Sequence, residues 1–162
     1  METKPKYVID TCSFTALRRV YPLDVFPGAW EAITQMAEFG LIISSNEVYI
    51  ELQEQEDIVT EWAKNHRNIF VPLKKEIQLK ASEILSQFPN LLDLNNSKSN
   101  ADAFVIATAI LHDCTVVTEE DPTGNGAKLV KIPNVCNSFA IKYMKLLDLL
   151  RMEQVRLDIQ KG

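Results

Sequence analysis

YVIDTCSF, Tyr7–Phe14, is the stretch on which the reading of the whole chain turns. Tyr7–Ile9 is a short apolar run of the kind that fills a strand buried on both faces of a parallel sheet. It stops at a carboxylate, Asp10, and Thr11, Cys12 and Ser13 follow. Asp, Thr and Ser all cap helices, so the stretch predicts a strand that turns at once into a helix. An acid at the carboxyl end of a buried strand also stands where α/β proteins assemble their sites. Alone, Asp10 is as much a helix cap as a ligand, and the rest of the chain has to decide.

Outward from this stretch, strand and helix patterns alternate. A helix over Phe14–Val20 is ended by the Tyr21-Pro22 step, and Trp30–Phe39 is a helix stopped at Gly40. Leu41–Ile43 is a second strand, followed by SSNEVYIELQ with Val48, Tyr49 and Leu52 toward a core. Glu56–His66 and Lys74–Phe88 are amphipathic helices. The polar loop Leu94–Asp102 opens onto the apolar helix AFVIATAILHD. Thr115–Thr118 is a third strand, EDPTGNG a turn, Lys128–Ile132 a fourth strand, and Ser138–Val155 a final helix. The pattern predicts a three-layer α/β/α sandwich with a central, mainly parallel sheet of about four to five strands. One domain over residues 1–162 accounts for it, with motifs at 7–133 and a C-terminal helix at 138–156.

The bulk properties narrow the function. With 46% hydrophobic and 24% charged among 162 residues, the chain builds an ordinary core, which excludes disordered and fibrous classes. No apolar run approaches the roughly 18 residues of a membrane span. METKPKYVID lacks the apolar region of a signal peptide, so the expectation is a cytoplasmic protein with no membrane contact. Cys12, Cys114 and Cys136 are odd in number and scattered, and with His66 and His112 they match no zinc spacing, which predicts free thiols. A net charge of −5 argues against a whole-surface polyanion binder, yet allows a nuclease whose site is itself made of acids.

Four acids recur at matching places. Asp10 follows strand one, Glu51 lies in the helix after strand two, Asp102 opens the apolar helix, and Glu119-Glu120-Asp121 follow strand three. Each has an ordinary explanation. Asp10 and Asp102 are good helix-start residues, and an acidic turn is usually just solvated. Glu47, three residues after Ser44, fits a capping box, which leaves Glu51 one turn later as the preferred ligand. Together they are harder to dismiss. Carboxylates without His or Cys companions select hard cations, Mg²⁺ or Mn²⁺, and such ions serve phosphodiester cleavage.

These same residues resemble the motifs of PIN-domain ribonucleases. YVIDTCSF is similar to the first motif, ISSNEVYIELQE to the second through Glu51-Leu52, and NADAFVIATAILHDCTVVTEED to the third and fourth through Asp102 and Glu120. KIPNVC, Lys131–Cys136, is similar to a segment of a PIN-like subfamily of unknown function. The fourth position carries Glu where Asp is usual, with Glu119 and Asp121 as alternatives to Glu120, and Cys12 stands where Asn is common, with Ser13 to supply a hydroxyl. The resemblance implies an Mg²⁺- or Mn²⁺-dependent endoribonuclease with Asp10, Glu51, Asp102 and Glu120 as metal-binding and catalytic residues. It implies the toxin half of a VapC-type toxin–antitoxin pair, with an RNA substrate, a cognate antitoxin and a homodimer. The alternative is a PIN-like module that binds RNA or protein without cutting. A phosphotransfer domain fits less well, because haloacid-dehalogenase-like phosphatases want a second Asp at position 12. Candidates for substrate grip are Lys4, Lys6 and Lys98, with Phe14 as a surface for stacking a base.

Overall fold

The computed structural model describes residues 3–91, 101–124, 126 and 129–162. At its centre are five strands: β1 (Tyr7–Ile9), β2 (Ile42–Ser45), β3 (Phe70–Val71), β4 (Thr115–Val117) and β5 (Tyr143–Met144). All neighbours are parallel, in the order β3-β2-β1-β4-β5. The helices are α1 (Thr11–Arg19), α2 (Pro27–Glu38), α3 (Asn46–Gln53), α4 (Ile58–Asn65), α5 (Lys75–Gln87), α6 (Ala101–His112), α7 (Ile132–Ser138) and α8 (Leu146–Met152). This is the expected α/β/α sandwich. No helix among the described residues is long and apolar enough to cross a membrane.

Order and register fix where a site can form. The chain runs outward from β1 through β2 to β3, then returns to place β4 on the other side of β1. The two halves diverge between β1 and β4, and the crevice beyond their carboxyl ends is the usual ligand position in such a sheet. Ile9 lies opposite Val117, so the residues that leave both strands there are neighbours.

Hydroxyl groups finish these strand ends. The Ser44 hydroxyl donates to the Ile9 carbonyl at 2.5 Å, and the Ser13 hydroxyl to the Val117 carbonyl at 3.1 Å. These hydroxyls therefore satisfy their own buried donors on the strand ends, which removes a desolvation cost of about 1–3 kcal/mol each.

α6 is apolar almost all round because it is covered almost all round. Ala101, Ala103, Val105, Ile106, Ala107 and Ala109 are buried, and the helix packs on β1, β2 and β4 and against α5 and α7. Its alanines let the backbone lie close to the sheet, bringing the start of the helix to the crevice.

Two expectations fail, at the end of the chain. Lys128–Ile132 is not a strand: Ile132 opens α7, with Pro133 in its first turn, where a missing N–H costs nothing. Lys128 lies outside the described residues. The side chain of Asn134 organises this entry, its Oδ1 accepting from Lys131 N and Thr123 N. The helix over Ser138–Val155 is not continuous either. Ala140 adopts φ +55°, the chain turns, and Tyr143–Met144 joins the sheet edge as β5 before α8 begins. Gly40, by contrast, ends α2 with φ +72°, the left-handed conformation that glycine takes without strain.

Candidate active site

Asp10 has an extended backbone, φ −82° and ψ 158°, and is the cap of α1. Its Oδ1 accepts from Thr11 N at 2.8 Å. Its Oδ2 accepts from the Cys12 thiol at 2.9 Å and from the Thr118 hydroxyl at 3.0 Å. Of the three candidate caps, Asp10 is the one that caps the helix. Thr11 donates instead to Glu51 Oε2, and Ser13 to the end of β4. Asp10 is both cap and pocket wall, at 3% exposure.

Glu51 reaches the same place from α3, while Glu47 does not border the cavity. The cap of α3 is Ser45, whose hydroxyl accepts from Glu47 N at 3.1 Å. The expected Ser44–Glu47 capping box is absent, because Ser44 is turned to Ile9. Asp102 enters from the first turn of α6, half-buried.

The acidic cluster after β4 divides in three. Glu119 Oε1 accepts from Leu146 N at 2.8 Å, at the start of α8, with the Ser13 hydroxyl 3.5 Å away. Glu120 Oε2 accepts from Ile132 N at 3.0 Å, at the start of α7. Both carboxylates thus sit where helix dipoles favour negative charge. Asp121 is exposed and pairs with Lys145 at 3.0 Å. A cavity of about 510 Å³ joins Asp10, Glu51, Asp102, Glu119 and Glu120. The four acids expected from the sequence line it, Glu119 is added, and Asp121 is not part of it.

Their charges oppose one another. Burial raises the Asp102 carboxyl to about 8, helped by the negative charges of Asp10, Glu120 and Glu51. Burial also raises Asp10, against the lowering effect of the Cys12, Thr118 and Thr11 donors. Glu120 is raised by burial and by Asp10, although the Ile132 N–H pulls it down. Burial beside Asp10 pushes the Cys12 thiol well up, so it is a proton donor to that carboxylate and not a nucleophile.

Does this set suit a cation? The oxygen donors match a hard divalent ion, and such a charge would relieve the mutual repulsion. Among the described residues, however, no group of three or more His, Cys, Asp or Glu side chains stands ready to hold one. Asp10, Glu51, Glu119 and Glu120 each lend at least one oxygen to a neighbouring N–H or hydroxyl. Binding an ion would require these side chains to turn from their present donors toward the cavity.

The expected substrate-gripping residues fare differently. Lys4 pairs with Asp113 at 3.5 Å, just before β4, and Lys6 precedes β1; both are at the amino edge of the sheet, away from the acids. Lys98 lies outside the described residues. Phe14 is buried against Trp62 and Phe70, with ring centroids 5.6 and 6.0 Å away, so it is core and not a stacking platform. Cys12 and Thr118, which fix Asp10, were not singled out as its partners, although Thr118 is the last residue of the Thr115–Thr118 run.

Residues 7–157 match the model of a family described as "Domain of unknown function (DUF4411)". Among solved structures, the chain is similar to one in the crystal structure of VapBC2 from Rickettsia felis bound to a DNA fragment from their promoter. The TM-score is 0.52 at 15% identity, over 86% of this chain and 97% of that chain. At that identity the likeness speaks for the fold, and the fold is the PIN-like sandwich anticipated from the motifs. No curated protein matches the chain.

Proposed function

The chain belongs to the DUF4411 family, whose model spans the sheet and every acid of the cavity, and we propose that it is a divalent-metal-dependent endoribonuclease. One observation carries the reading. Carboxylates from four separate segments meet at the crevice between β1 and β4, where burial and mutual charge raise Asp10, Asp102 and Glu120.

Asp10, Glu51, Asp102 and Glu120 would hold Mg²⁺ or Mn²⁺. Such an ion supplies a lowered pKa for water and neutralises charge that develops on a phosphodiester. The chain's own work is positional. Cys12 and Thr118 hold Asp10 Oδ2 toward β4, and Thr11 holds Glu51. Glu120 N also donates to Thr118 Oγ1 at 3.3 Å, so one hydroxyl links the acid after β1 to the acid after β4. The test is cleavage of RNA by purified protein with Mg²⁺ or Mn²⁺, lost on chelation and in Asp10→Asn. Cleavage at the wild-type rate by that variant would sink the proposal.

A toxin role with a cognate antitoxin, and a homodimer, belongs to the same proposal. The structural neighbour's description as VapBC2 on promoter DNA supports it. Growth arrest on expression, relieved by a small neighbouring open reading frame, tests the toxin role, and light scattering tests the dimer. The second reading, a module that binds without cutting, is favoured by the anchoring of Glu119 and Glu120 at helix starts. Absence of Mn²⁺ stabilisation would decide for it.

A further inference from the structure

The cavity of carboxylates has one cation among its described walls, Arg19. α1 faces the cavity with Thr11 and Cys12, then Thr15 and Ala16, then Arg19, with Val20 next, which is one stripe at helical spacing. The stripe therefore leads from the acids at the start of α1 to a guanidinium at its end. Arg18, in the same turn, faces elsewhere, its Nε 3.1 Å from Asp57 Oδ2 though off the line of a hydrogen bond. Among the described residues Arg19 forms no ion pair, although a cavity rich in acids lies beside it.

Arg19 lies two helical turns, about 10 Å along the axis, beyond Cys12. From there it is placed to meet a different anionic group of a ligand that the acids hold. Between the two, Ala16 and Val20, the latter 59% exposed, give the wall an apolar shelf. An acid end for a cation-held phosphate, a shelf for a sugar or base, and a planar donor fork further on match a single RNA strand laid along α1.

Resting on the ribonuclease reading, we infer that Arg19 grips the RNA backbone at a phosphate flanking the one cleaved, with Ala16 and Val20 seating the nucleoside between. Arg19 also suits the negative end of the α1 dipole, as a cation in any last turn does, and that structural role alone would leave RNA affinity unmoved.

The experiment measures binding of a labelled single-stranded oligoribonucleotide in Ca²⁺ across a salt series, for wild type, Arg19→Gln, Arg19→Lys and Lys80→Gln. Lys80 is a remote control on α5, paired with Glu83. Arg19→Gln is expected to raise Kd about tenfold and to reduce the salt slope by about 1. Arg19→Lys should recover part of the loss, and Lys80→Gln should change nothing. An unchanged Kd and slope in Arg19→Gln, at an unchanged melting temperature, overturns the inference. So does an equal loss in Lys80→Gln. Wild-type protein that binds through Arg19 yet never cuts in Mg²⁺ or Mn²⁺ defeats the ribonuclease reading alone. Cleavage with no Arg19 effect on Kd defeats this inference alone.

Discussion

Thr118 donates its hydroxyl proton to Asp10 Oδ2 across 3.0 Å, although 108 positions separate them in the chain. The contact exists because Ile9 and Val117 are paired at the ends of adjacent parallel strands, so the next residue of each strand meets the other. Asp10 N reinforces it by donating to Val117 O at 2.9 Å. Thr118→Val keeps the shape and removes the donor from a buried carboxylate, a loss of about 1–3 kcal/mol. For a chain of this size that lowers the melting temperature by about 2–4 °C per kcal/mol. Cleavage should fall about tenfold to a hundredfold, as for residues that orient metal-binding groups. Thr118→Ser retains both properties. Equal activity in all three proteins would show that the hydroxyl does not position Asp10.

Asp102→Asn separates catalysis from stability. Removing this charge relieves Asp10, Glu120 and Glu51, whose fields push the Asp102 carboxyl up in addition to its burial. The metal-free variant should therefore melt higher than wild type at pH 8. Its RNA cleavage should fall at least about a hundredfold if Asp102 holds the ion. A variant that loses activity and stability together would mark Asp102 as a structural cap of α6.

The acids after β4 are told apart by what each one touches. Glu120→Gln keeps an oxygen for Ile132 N, so the entry to α7 survives while the charge is lost; activity should fall and the melting temperature change little. Glu119→Gln likewise keeps an acceptor for Leu146 N but weakens a charge-assisted bond, with a cost of about 0.5–1.5 kcal/mol. Asp121→Asn breaks only the exposed pair with Lys145, and both readouts should stay at wild-type values. If Glu119→Gln proved the inactive one, the fourth ligand would be reassigned.

The sequence carried the sandwich and the four acids because both depend on boundaries it marks. Buried parallel strands are short apolar runs, and each acid stands where a run ends or a helix begins. Other features depend on contacts that no local pattern encodes. β3 and β5 are two residues long, and Phe70–Val71 and Tyr143–Met144 are strands only because a neighbour pairs with them. Ile141, Met144 and Leu147 have helical spacing, yet the left-handed Ala140 turns the chain after α7, without a glycine to announce it, and Met144 joins β5. Asp10, Thr11 and Ser13 are equivalent caps on paper, and the positions of Glu51 and Val117 sort them in space. Lys4 and Lys6 were misjudged by the length of one strand, which puts them at the wrong edge. The periodicity of Cys12, Thr15 and Arg19 is visible in the sequence, but which face of α1 meets the cavity is not.

Protons and metal should both stabilise the fold, by relieving the same carboxylates. The Asp102 carboxyl titrates at about 8 in the folded chain, against about 3.9 when unfolded. Between those values the folded state binds more protons than the unfolded state, so stability falls as pH rises. The contribution is complete below the unfolded value and lost on passing the folded one. Asp10 and Glu120 are shifted in the same direction and add to the slope. Metal-free protein should thus melt at a lower temperature at pH 8 than at pH 6, in a differential scanning measurement at constant ionic strength. Mn²⁺ at about 100 times its Kd should restore about 2.7 kcal/mol, or about 5–10 °C. Its effect should be larger at pH 8, because protons compete with the ion for the same oxygens. In Asp102→Asn both the pH slope and the Mn²⁺ gain should shrink. A melting temperature that ignores both pH and Mn²⁺ would mean that the five carboxylates of the cavity neither repel one another nor share a cation.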